Sequence, residues 1–268
     1  SYHSHLGLHM TQLTAQNDST SDLSNDPVRW RILIVLLMAI FMSLMSVSVV
    51  NVALASIQDA LEATQSDIQW VLSGYALTFG VVLVSAGRAG DLMGRGGIFI
   101  LGVIVFTLAS VAAGLAPDAQ WLNGARFMQG VGSGLMNPQA VGMIQQYFKG
   151  SERGRAFGFF GTTVGVSVAI GPVIGGLLIQ LGGLELGWRL TFLVNVPMGI
   201  LTMVLALIWF PRPLIHKRKQ KDGQGLSSLD PIGAVLLGLA VLAVLYPFVD
   251  SHLSPMMWLL LPAGLLLF

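Results

Sequence analysis

Long apolar runs broken by short polar segments dominate the chain. A helix needs about 20 mostly apolar residues to cross a bilayer. Windows of that kind fall at 31–57, 68–87, 97–116, 119–147, 155–181, 189–210 and 231–249, and an eighth begins near Pro255 and runs to Phe268. The pattern predicts an all-α polytopic membrane protein. Residues Ser1 to Arg29 differ in kind, being polar and aperiodic, and read as a disordered tail. His3, His5 and His9 precede Met10; a leader ahead of a native start at Met10 accounts for them more simply than a metal site. Four segments are therefore expected: a tail over 1–29, a six-helix bundle over 30–211, a basic linker over 212–230, and helix seven with a truncated helix eight over 231–268.

Composition agrees with this picture. The 268 residues are 54% hydrophobic and only 10% charged, and the mean hydropathy is +0.73; a water-soluble domain needs far more polar surface. With no cysteine in the chain, a disulfide scaffold, a thiolate nucleophile and a cysteine metal site are excluded. No paired carboxylates, HExxH or GxSxG occur in any span, so no enzyme, metal centre or cofactor is indicated. Nothing points to nucleic acid.

The net charge of +1 hides a strong asymmetry. Arg29, Arg31, Arg88, Arg95, Lys149, Arg153, Arg155 and the basic residues of the 212–221 stretch all fall on one side of the alternating spans. The opposite loops hold Asp59, Glu62, Asp67, Asp118, Glu185 and Asp250, with Arg189 as their only cation. By the positive-inside rule the N-terminus and the 212–230 segment are cytoplasmic. The run "HKRKQK" in that segment reads first as this topology signal and second as a site for anionic lipid headgroups.

Four stretches carry candidate chemistry. "GRAGDLMGRGG" joins the second and third spans; its glycines allow a tight connection, and Asp91 can accept from helix N-termini or pair with a cation. A phosphate-binding loop is the weaker alternative, since no strand precedes it. In "LNGARFMQGVGSGLMNP", Arg126 is the only ionisable residue well inside any span, and a buried arginine must face the bundle interior or a wet cavity. In the fifth span, Gly154, Gly158, Gly161, Gly165, Ala169 and Gly176 keep to one face, which favours close packing of helices in lipid. There, Gly171 and Pro172 favour a bend. In the first span, Met38, Met42 and Met45 share a face; with Tyr75, Phe127, Met136 and Phe159 they are candidates for a plastic, apolar-aromatic cavity wall, packing or lipid contact being the alternative.

Together these stretches resemble the major facilitator superfamily. Gly158, Gly171, Pro172, Gly175 and Gly176 are similar to its antiporter motif, with Ser167 in place of the usual middle glycine; the resemblance implies an exporter-type gate on the extracellular side. Gly87, Gly90, Asp91, Gly94 and Arg95 match its signature cytoplasmic loop, which implies a latch for the outward-facing state. Leu122, Arg126, Gln129, Gly130 and Gly132 match its fourth-helix motif. "MSVSVVNVALASI" resembles the first helix of the fourteen-helix drug:proton antiporter branch. Asn51 to Leu54 match, but Ser46 stands where that branch has an aspartate, Ser48 where it has a threonine and Ala55 where it has a proline. "GWRLTFLVNVPMG" (187–199) and "LDPIGAVLL" (229–237) support the same branch.

The implied function is secondary export of drugs or amphipathic small molecules by alternating access, with a coupled proton. The implied partners are the lipid bilayer, a lipophilic substrate and a missing C-terminal helical bundle. The alternatives are a lipid or metabolite transporter without proton coupling, and a non-transporting half-protein that needs a partner. Arg126, Gln129, Ser46 and Asn51 are the candidate coupling or substrate residues. Counting about 1.5 Å per residue puts Ser46 and Arg126 both roughly 20 Å from the cytoplasmic face. With no carboxylate in any span, this half offers a lipophilic cation no counter-charge. The expected location is the cell membrane.

The cysteine-free chain makes the orientation directly testable. In intact cells, an impermeant maleimide is expected to label Glu62→Cys, and to label Lys149→Cys only after permeabilisation.

Overall fold

The computed structural model describes residues 26–212 together with Leu214 and Leu239. The tail up to residue 25, nearly all of the basic linker, and the two helices expected over 231–268 lie outside the described residues apart from those two leucines. Six helices follow one another: α1 (Val28–Leu61), α2 (Gln65–Met93), α3 (Arg95–Gly114), α4 (Ala119–Tyr147), α5 (Ser151–Leu193) and α6 (Asn195–Trp209). No strand occurs among the described residues.

Local chemistry sets the helix boundaries. Thr64 caps α2 by accepting from the Asp67 backbone N–H at 3.2 Å, and Asp67 returns the bond to the Thr64 N–H at 3.1 Å; this reciprocal box satisfies two of the donors a helix start leaves open. Asp118 caps α4 in the same manner, accepting from the Trp121 N–H at 2.8 Å. Between α2 and α3 lies the single residue Gly94, with φ 101°, a conformation that side-chain-bearing residues avoid.

The bounds of α5 enclose a reversal. Gly183 has φ 70° and ψ −163°. A Cβ on Gly187 would lie 2.7 Å from Ile179 Cα, and one on Gly182 would lie 2.6 Å from the Gly187 nitrogen, so the chain doubles back there. The windows at 155–181 and 189–210 fall on either side of this turn. The non-helical residue inside α5 is thus Gly183, whereas Pro172, where a bend was expected, keeps its place in the helix. Proline's fixed φ is compatible with a helix even where it removes a hydrogen bond.

The glycine stripe of α5 also departs from expectation. Gly171 and Gly175 approach α1: a Cβ on each would stand 3.2 Å from the Val49 nitrogen and 3.1 Å from its carbonyl oxygen, respectively. Ser48 Oγ donates to the Val168 carbonyl at 2.9 Å in the same contact. A Cβ on Gly154, Gly158, Gly161, Gly165 or Gly176 meets nothing within 4 Å. At 3.6 residues per turn these five lie on a face about 90° from Gly171 and Gly175. Close packing therefore involves two glycines of the expected gate, and Gly158 and Gly176 stand open.

The organising element is α4. It packs mainly against α2 and α3, and Arg126, Gln129, Ser133 and Gln139 on it are all 0% exposed. By length and composition, the described segments apolar enough to cross a membrane are Val28–Leu61, Gln65–Met93, Arg95–Gly114 and the continuous Ser151–Trp209. The helix α4 is not among them, because it carries Asn123, Arg126, Gln129, Asn137, Gln139, Gln145 and Gln146. It tolerates Arg126, Gln129 and Gln139 because protein, rather than lipid, surrounds them.

Close backbone approach makes that burial feasible. A Cβ on Gly132 would lie 2.5 Å from the Phe106 nitrogen and 2.8 Å from the Gly102 carbonyl oxygen on α3, while Gly134 faces the Phe79 carbonyl of α2 at 3.0 Å. Around this spine, Leu36, Phe99, Val103, Phe106, Met143 and Phe148 form one apolar cluster; Val50, Ile57, Val71, Leu122, Trp188 and Phe192 form a second, toward the other end of the bundle.

Replacing Gly132 by Val forces α3 and α4 apart and is expected to destabilise the bundle by about 1–3 kcal/mol. The check is the thermal midpoint of the full protein in detergent, with Gly124→Ala, where a Cβ meets nothing within 4 Å, as the tolerated control.

Candidate substrate cavity and its polar lining

A cavity of about 710 Å³ lies among α1, α2, α4 and α5, within the size range of sites for drug-sized ligands. Most of its wall is apolar, including Ile40, Leu44, Val47, Leu72, Phe79, Leu83, Val141, Phe160 and Val164. Polar groups enter at Ser43, Asn51, Tyr75, Arg126 and Asn137. Along α4 the wall runs from Arg126 to Val141, about 22 Å at 1.5 Å per residue.

Two hydrogen-bonded clusters meet at Tyr75. In the first, the Tyr75 hydroxyl bonds Ser133 Oγ at 2.8 Å and Ser43 Oγ at 3.0 Å, and Asn137 Nδ2 donates to both serines, at 2.8 and 3.1 Å. In the second, Arg126 Nε donates to the Val71 carbonyl at 2.8 Å, and its Nη1 to Gln129 Oε1 at 2.9 Å and Ser46 Oγ at 3.4 Å. Gln129 Nε2 donates onward to Ser110 Oγ at 2.9 Å, and Ser110 to the Phe106 carbonyl at 2.8 Å. The Arg126 guanidinium carbon lies 4.5 Å from the Tyr75 ring centroid, within cation–π range. Among the described residues the ion pairs are Arg29–Glu152 and Arg95–Asp91, so no carboxylate there pairs with Arg126.

The methionine face lies elsewhere. Met42 and Met136 are 0% exposed within the apolar core and Met45 is buried as well; neither these nor Met38 lines the cavity. On α1 the cavity side is Ile40, Leu44, Val47 and Asn51, and Met38, Met42 and Met45 sit about 140–200° around the helix from it. Phe127 packs against Gly74, 3.3 Å from where its Cβ would be, and 6.2 Å from the Trp70 ring. Phe159 is half exposed and meets Trp30 edge-on at 6.4 Å; its neighbour Phe160 lines the cavity. Of the seven expected wall residues, Tyr75 alone does so.

The loop residues converge on α4. Asp91 pairs with Arg95 one turn on. Arg95 Nη1 also donates to Gln139 Oε1 at 3.5 Å, and Gln139 Nε2 donates to the Ala86 carbonyl at 2.6 Å. Gly90 leaves the room Gln139 occupies, a Cβ there lying 2.7 Å from its Cδ, and Gly142 lies against the Arg95 guanidinium. Gly87 is a looser neighbour of Pro138, at 4.0 Å. Sequence reasoning missed Ser43, Ser133, Asn137, Gln139 and Gly142. The available signal was the polar pair flanking Pro138 in an otherwise apolar run.

A family model described as Major Facilitator Superfamily matches residues 36–268. The chain belongs to the major facilitator superfamily. Among curated superfamily relatives, a probable actinorhodin transporter of Streptomyces coelicolor is 36% identical over 224 residues, covering 84% of this chain and 37% of the relative. A puromycin resistance protein of Streptomyces alboniger is 36% identical over 228 residues, 85% of this chain and 43% of the relative. The chain thus spans well under half the length of these relatives. A solved bacterial homologue of the human lysosomal transporter Spinster, inward-facing and unoccupied, superposes with a TM-score of 0.62 at 19% identity, over 90% of this chain and 59% of that one. The superfamily and these relatives are transporters rather than enzymes, and the fold is that of a multi-pass membrane protein.

Arg126→Met leaves the Val71 carbonyl and Gln129 Oε1 without their buried donor. It is expected to destabilise the bundle by about 1–3 kcal/mol, measured as a lowered thermal midpoint, with Arg126→Lys losing less.

Proposed function

We propose that this chain is the N-terminal bundle, with the beginning of two linker helices, of a secondary exporter of drugs or amphipathic small molecules in the cell membrane. The observation that carries the reading is the apolar cavity of about 710 Å³ with a few polar groups entering it from α1, α2 and α4. Substrate enters from the cytoplasm or inner leaflet, a second helical bundle completes the cavity, and the two bundles rock about it in alternating access. The names of relatives support the class, since they include a tetracenomycin C resistance and export protein and a multidrug resistance protein.

In this reading Gly87, Gly90, Asp91, Gly94 and Arg95 form the cytoplasmic latch, engaged with Gln139. The contact of Gly171 and Gly175 with α1 forms the outer gate, with Pro172 between them and the open face at Gly158 and Gly176 beside it. The N-terminus and the basic linker are cytoplasmic, as the positive-inside charge pattern supports. Arg126, Gln129, Ser46 and Asn51 are the substrate or coupling residues, and a proton is the coupled ion. One observation favours a second reading, transport without proton coupling: no carboxylate lines the cavity among the described residues, and the hydroxyl of Ser46 stands beside Arg126.

The experiment is transport by the full-length protein in inside-out vesicles. Accumulation of an amphipathic dye that rises with an imposed pH gradient and collapses with a protonophore is the expected outcome. Accumulation indifferent to the gradient favours the uncoupled reading, and no accumulation of any amphiphile overturns export.

A further inference from the structure

The charge inventory of the cavity is one-sided. Arg126 borders it, and among the described residues the rest of the lining is neutral. The acceptors of Arg126 are a backbone carbonyl, an amide oxygen and a hydroxyl, none of which carries charge. They satisfy hydrogen-bonding geometry without cancelling the unit of positive charge. Arg126 is also 0% exposed, so bulk water does not screen it, and its charge reaches the cavity as a field across a low-dielectric wall.

We propose that the cavity selects amphiphiles carrying an organic carboxylate over neutral and cationic molecules of the same shape, with the uncompensated charge of Arg126 as the selecting element. This deepens the export reading and rests on it for the identity of the site. The carboxylate sits at the Arg126 end of the cavity, beside Tyr75, with Asn51 of the α1 lining offering its amide to the anion. The apolar body lies along Leu72, Phe79 and Val164. At an effective dielectric of about 20, a unit charge about 6 Å away changes affinity by about a hundredfold. Tyr75 holds the guanidinium from its ring face and is itself fixed by Ser43 and Ser133, so the positive charge keeps its place as ligands come and go. A quaternary ammonium head meets the same field with the opposite sign and is disfavoured by a comparable factor.

The test uses the purified full-length protein and three probes that share one body: 11-(dansylamino)undecanoic acid, its primary amide, and the analogue ending in trimethylammonium. Binding is read by dansyl fluorescence, and export of the same probes is followed in inside-out vesicles. The acid is expected to bind at least tenfold more tightly than the amide, and the amide more tightly than the ammonium compound. Ser46→Asp places a carboxylate beside Nη1 and is expected to bring the acid-to-amide affinity ratio toward one. Equal binding of acid and amide, or preference for the ammonium probe, overturns the proposal, and export of those probes would then leave the transporter reading standing. Preferential binding of the acid without export of any probe upholds the anion preference and overturns the export reading. A ratio unchanged in a folded Ser46→Asp protein removes Arg126 as the selecting element. Should that variant fail to fold, the ranking of the three probes on the natural protein decides.

Discussion

The structure depends on burying α4, a polar helix at membrane depth. An arginine, two glutamines and a serine on it are wholly enclosed, and each of these groups is intolerable against hydrocarbon unless another part of the protein satisfies it. The satisfaction comes from three directions: the Val71 carbonyl on α2, Ser110 on α3 and Ser46 on α1. Each of these helices supplies at least one acceptor to the buried polar groups of α4. Polar chemistry thus fixes which helices must contact α4, while apolar packing fills the space between.

Glycine is the means by which the chain achieves this. Direct bonds from side chains on one helix to the backbone of the next require the axes to come close. Gly132 against Gly102 and Phe106, and Gly134 against Phe79, supply that approach on two sides of α4. In lipid the helices gain nothing from hydrophobic association, so dispersion and hydrogen bonds across a close contact must hold them together. The α1–α5 contact repeats the device at Gly171 and Gly175. The side of α4 not closed off in this way is where the cavity opens, and the polar groups there are the overflow of the same network: Tyr75 joins Arg126 on one side to Ser43, Ser133 and Asn137 on the other. Scaffold and site are built from one set of bonds, so a substitution at Tyr75 or Arg126 also acts on the helix contacts they stabilise.

The amino-acid sequence determined the membrane class, six helical runs whose bounds agree closely for α3 and α4 and differ by up to twelve residues where α5 meets α6, and the burial of Arg126, because these follow from hydropathy and the cost of charge in lipid. It did not determine which face of each helix meets the cavity. Met38, Met42 and Met45 share a face by spacing, but spacing leaves the rotation of the helix about its own axis open, and packing turned that face into the core and Ile40, Leu44 and Val47 toward the cavity. The same indeterminacy separated Phe159 from Phe160. It also left the partner of the α5 stripe open: Gly171 and Gly175, off that face, meet α1, whereas a Cβ on Gly154, Gly158, Gly161, Gly165 or Gly176 meets nothing within 4 Å. The reversal at Gly183 and the role of Gln139 were likewise decided by tertiary contacts. Periodicity along one helix states which residues are neighbours on that helix; only the neighbouring helices decide what those residues face.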